Sequence, residues 1–113
     1  MNINEFIMKH RINLLENRKN ITNIRVYQTP RIVCADGFNF SVQASKYHYC
    51  SPRTDEGPYT AFEVGFTSER CEELMPFAET SSNLTETVYA WVPAEVVEEV
   101  IRKHGGIVVP IKQ

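Results

Sequence analysis

Phe38-Asn39-Phe40-Ser41-Val42-Gln43-Ala44 alternates apolar and polar residues without a break. That period of two belongs to a strand with one face on a core. Phe38, Phe40, Val42 and Ala44 are expected inside, and Asn39, Ser41 and Gln43 on a wet polar face. The turn signal Asp36-Gly37 precedes this run. Further upstream, residues 24–28 and 31–35 read as strands flanking Thr29-Pro30. Downstream, residues 59–66 read as a strand with Phe62, Val64 and Phe66 inward and Glu63 outward, and residues 87–92 read as a fifth. A last strand is expected over 107–111.

Helix signals sit at both ends. Residues 3–16 place Ile3, Phe6, Ile7, Leu14 and Leu15 near i, i+3, i+4 spacing, with Asn2 or Asn4 as cap. Pro93 suits the first turn of a helix reaching His104, whose stripe is Val96, Val97, Val100 and Ile101 and whose stop is Gly105-Gly106. Ser68 is a candidate cap for a short helix ended by Pro76. The class is therefore α+β: an antiparallel or mixed sheet of about five to six strands, a C-terminal helix on one face, and an N-terminal helical arm. Residues 1–18 are read as the arm, available for oligomerisation because the polar stretch 16–20 separates it from a single domain over 19–113.

With 113 residues, 42% hydrophobic and 11% aromatic, the chain has material for one core. No apolar run approaches the ~20 residues that span a bilayer, and the N-terminus lacks signal-peptide features, so a cytoplasmic protein is expected. Cys34, Cys50 and Cys71 are odd in number, widely spaced and without a C-x-x-C pair, which favours reduced thiols over disulfides or zinc. The net charge of −2 conceals a division: residues 1–53 carry eight Lys and Arg against three acids, and residues 54–113 four against eleven. A basic half suits an anionic ligand or a complementary subunit; two plainly solvated faces account for it equally well.

The loop over 45–58 holds most of the candidate chemistry. Lys46, His48 and Arg53 are interleaved with Tyr47, Tyr49 and, just beyond, Tyr59. Cations hold phosphate and aromatic faces stack bases, and Pro52 and Pro58 limit the loop's freedom. A loop whose tyrosines simply cover the sheet is the bland alternative. His48 and Cys50 stand two apart, a conceivable nucleophile pair, but no orienting acid or oxyanion element is readable. Phosphate-loop, dinucleotide and zinc-protease motifs do not occur, and no cofactor or metal is expected.

Three segments, 25–31 (RVYQTPR), 40–53 (FSVQASKYHYCSPR) and 92–106 (VPAEVVEEVIRKHGG), resemble a family of small phage and prophage proteins. The similarity extends over about residues 20–107 and is to the first type of anti-Thoeris "sponge", which sequesters cyclic ADP-ribose signals and in some members cyclic dinucleotides. It implies a sheet-and-helix protomer, a homo-oligomer from dimer to hexamer, ligand held without turnover, and no enzyme activity. Residue chemistry nominates Arg25, Arg31 and Arg53 for phosphate and Tyr27, Tyr49, Tyr59 and Phe77 for bases, with Gln43 and His48 as polar contacts. No membrane partner is expected. The alternatives are an inhibitor that binds a host defence protein, a small nucleic-acid-binding module, and a Cys50-dependent enzyme.

Overall fold

The alternation at Phe38–Ala44 resolves into β2 (Asn39–Gln43), with Phe40 and Val42 fully buried and Asn39, Ser41 and Gln43 half-buried. The computed structural model describes residues 2–16, 28–79 and 86–108. Among these, β1 (Ile32–Val33), β2, β3 (Ala61–Gly65) and β4 (Val88–Pro93) form one antiparallel sheet in sequence order. Helices α1 (Ile3–Glu16) and α2 (Ala94–Lys103) complete the α+β architecture, with a 3-10 helix at Glu72–Phe77. Among the described residues no helix is long and apolar enough to cross a membrane.

Four strands are fewer than the five to six expected. Residues 24–27 and 109–111 lie outside the described residues, and Ile107 contributes a single bridge to Cys34. Phe66 was expected inward. The strand ends at Gly65, and the backbone turns left-handed at Phe66 (φ 51°), which leaves its ring 50% exposed. The short helix also differs: it starts after Cys71 and contains Pro76, while the Ser68 hydroxyl accepts the Asn39 N–H at 3.0 Å.

The core joins both helices to one face of the sheet. Val97, Val100 and Ile101 of α2 meet Phe62, Val64, Tyr89 and Val92, and Ile3 and Ile7 of α1 enter the same cluster. Each large side chain so buried contributes roughly 1.5–3 kcal/mol. Gly105, at φ 93°, closes α2 where a Cβ would lie 2.8 Å from that of Ala35. His104 stacks on Phe38 at 4.0 Å between centroids, and its Nδ1 lies 2.6 Å from Asp36 Oδ2, fastening the helix end to the β1–β2 turn. That bond holds the Asp36 carboxyl below the usual carboxylate range.

Helix α1 is seated on the body. Asn2 caps it, accepting the Glu5 N–H at 2.8 Å, and Glu98 of α2 accepts the Ile3 N–H at 2.6 Å. Asn4 instead brackets the Tyr59 backbone, donating to its carbonyl at 3.0 Å and accepting its N–H at 2.7 Å. One turn beyond Ile7 the stripe continues with Arg11, 3% exposed. Its guanidinium donates to Ala44 O (2.5 Å), Asp55 O (2.6 Å) and Tyr59 Oη (2.8 Å). Leaving buried carbonyls unmet costs about 1–3 kcal/mol each. Arg11→Met should therefore lower the unfolding free energy by about 3 kcal/mol in denaturant titrations, whereas the exposed Lys9→Ala should change it by less than about 0.5 kcal/mol.

Candidate functional site

Arg11 fixes both ends of the 45–58 loop, and short-range bonds fix its middle. Ser45, fully buried, holds the turn: its Oγ lies 2.6 Å from His48 Nδ1 and accepts the Tyr47 N–H at 3.0 Å. Asp55 closes the loop on its far side. Its Oδ1 accepts the Lys46 N–H at 3.0 Å, and its Oδ2 lies 3.8 Å from Lys46 Nζ. The segment 49–51 then runs beside β3, where Ser51 bridges Ala61.

Strand β4 is irregular opposite Glu63. Phe62 pairs with Val92 and Val64 with Tyr89, so two steps on β3 face three on β4. The extra residue is a bulge. Trp91 takes a left-handed backbone (φ 49°), an uncommon and strained choice for a bulky residue. Its N–H, turned out of the ladder, donates to Tyr49 O at 3.2 Å, and Glu63 Oε1 accepts the Tyr49 N–H at 3.1 Å. The bulge and the loop hold each other through the Tyr49 peptide groups.

An aromatic platform results. The Tyr49 and Trp91 rings lie 5.1 Å apart with planes tilted by 35°, and the Arg53 guanidinium stands 5.5 Å from the Tyr49 centroid. Trp91 is 48% exposed and Tyr49 39%. Arg53 is steadied by a 3.2 Å bond from its Nε to Lys46 O, leaving its other nitrogens toward solvent. Rings already in contact leave no slot between them; what they offer to solvent is their outer faces. A guanidinium beside that surface is a bidentate anion donor.

Of the nominated residues, Tyr49 and Arg53 meet here, and Trp91 joins them although composition gave no sign of it. The missing signal is the β4 bulge, since regular alternation assigns position 91 no special display. His48 is 8% exposed and serves the turn beneath the platform. Tyr59 is 2% exposed, its hydroxyl bonded to Arg11 and Thr54 O; its ring belongs to the core and offers no face for stacking. Phe77 is half-buried against the core. Gln43 clasps the Thr29 backbone, and Arg31 is exposed but bonded to Asn39 and to Phe66 O, toward the other end of the sheet. Arg25 and Tyr27 lie outside the described residues.

Cys50 is not arranged as a nucleophile. It is 1% exposed, its thiol faces Ser45 O (3.2 Å) and Pro52 O (3.4 Å), and burial pushes its pKa up. A cleft of about 270 Å3 opens near Asp36, Gly37, Phe38, Ser68 and Glu69, at the sheet's opposite end. Asp36 and Glu69 line it and, among the described residues, no cation does, so the exposed platform is the more suitable surface for an anion. No protein-family model, curated protein or solved structure matches the chain.

Burial lowers the His48 pKa; Glu63 opposes this, and the Arg11 and Arg53 charges add to it. An unfolded chain then takes up the proton at about pH 6.5 while the folded one does not. Stability should fall as pH drops through that value toward the lower folded one. Thermal melts from about pH 7.5 to about pH 5.5 should show a declining Tm, with a shallower decline in His48→Gln. His10, also lowered by burial, accounts for part of the slope that remains.

Proposed function

We propose that this protein binds a phosphate-bearing cyclic nucleotide reversibly and holds it without turnover, the counter-defence role in sequestering a signal that the sequence resemblance implies. One observation supports it above the others: an exposed Trp91–Tyr49 surface with Arg53 over its edge, braced by a loop that Arg11 anchors. The base stacks on Trp91 and the guanidinium takes a phosphate. The reading includes self-association, from dimer to hexamer. A nucleic-acid strand is a poorer fit, because a polyanion calls for a row of cations. Among the described residues Arg53 stands over Tyr49 and Lys46 over the neighbouring Tyr47, and the chain carries net −2.

Calorimetry with cyclic ADP-ribose isomers and cyclic dinucleotides tests the reading. Arg53→Ala should weaken binding by about tenfold or more, and Trp91→Ala should cost about 1–3 kcal/mol. Heat-denatured complex should release the nucleotide chemically intact. Altered nucleotide, or no binding across the panel, contradicts the proposal. Native mass spectrometry should show an oligomer carrying the ligand's mass; a bare monomer with every ligand refutes the assembly.

A further inference from the structure

Glu63 is the group at this site that nucleotide binding in general does not explain. It projects from the middle of β3 opposite the Trp91 bulge and is half-buried. One carboxylate oxygen accepts the Tyr49 N–H at 3.1 Å. Among the described residues no group is bonded to the other. A carboxylate next to an anion-binding arginine works against phosphate affinity unless it meets a donor on the ligand.

Its position indicates which donor. Tyr49 is the shared neighbour: its N–H bonds Glu63, its carbonyl bonds Trp91 N–H, and its ring lies beneath Arg53. Glu63 and Arg53 also act electrostatically on the same imidazole, His48. The carboxylate is thus tied to the residue that links the stacking ring to the guanidinium. In a nucleotide, the part joining base to phosphate is the sugar. Its hydroxyls are donors, and an ionised carboxylate is purely an acceptor.

Resting on the nucleotide-binding reading above, we propose that Glu63 accepts hydrogen bonds from the ligand's ribose 2′-hydroxyl and so makes the site select ribonucleotides over 2′-deoxyribonucleotides. The deoxy ligand leaves the carboxylate facing a carbon-bound hydrogen, with water expelled and nothing in its place. A glutamine at 63 keeps the Tyr49 bond through its amide oxygen, preserving the loop, but replaces the free acceptor with a donor.

The probes are cyclic di-AMP and its bis-2′-deoxy analogue. Binding is read on the whole protein by the fluorescence of Trp91, the chain's one tryptophan, and by calorimetry. Wild type should bind the ribo form about tenfold more tightly, the scale of a hydrogen bond to a charged group. In Glu63→Gln that ratio should fall toward one, whatever the change in absolute affinity from removing a negative charge. Equal affinities in wild type overturn the assignment without recourse to any variant, as does an unchanged ratio in Glu63→Gln that melts like wild type. Failure of both cyclic dinucleotides to bind also overturns it, and calorimetry with cyclic ADP-ribose then decides whether the broader reading falls too.

Discussion

The Arg11 guanidinium is the constraint on which the organisation of this molecule turns. A buried cation must spend its donors on fixed acceptors, and these lie at Ala44, Asp55 and Tyr59, the two shoulders of the long loop. One side chain therefore settles two questions at once: where α1 lies and what shape the loop takes. Two backbone carbonyls and one hydroxyl, all neutral, receive its terminal N–H groups, and the rigidity gained is local to the loop. Ile3 and Ile7 supply the apolar part of the same docking, and Asn4 ties its polar part to the Tyr59 backbone.

From that anchored loop the surface follows by a short chain of contacts. The fixed turn at Ser45 and His48 delivers Tyr49 to the sheet, where its peptide N–H and C=O engage Glu63 and Trp91. Those bonds stabilise a left-handed tryptophan that would otherwise cost about 1–3 kcal/mol. Backbone strain is spent on displaying a large ring, a pattern associated with binding surfaces more than with cores. The free thiols take no part; all three are buried, and burial raises each pKa.

Much of the fold was legible in the sequence because it rests on period. The alternation over 38–44, the valine stripe ahead of Gly105, and the helix at 3–16 all appear where periodicity placed them. What periodicity cannot report is a departure from itself. The bulge at Trp91 and the left-handed turn at Phe66 each break a regular strand through backbone geometry that bulky residues seldom adopt. The candidate platform was legible in part: Tyr49 and Arg53 came from the loop's composition, whereas Tyr59 looked equivalent and is a core residue. Arg11 entered only as one of the eight Lys and Arg over residues 1–53. An arginine on an apolar stripe, four residues beyond Ile7, was the available clue, and it becomes decisive once the carbonyls it meets are known.

A nucleotide held as proposed would meet the platform of Trp91, Tyr49 and Arg53. Two-dimensional 1H–15N NMR during titration with cyclic ADP-ribose isomers and cyclic dinucleotides tests it most directly, since the single indole N–H belongs to Trp91. Binding there should produce saturable shifts of that indole signal together with the Tyr49, Arg53 and Glu63 amides. Shifts centred on the cleft at Asp36 and Ser68, or a spectrum unchanged by every nucleotide, would contradict it.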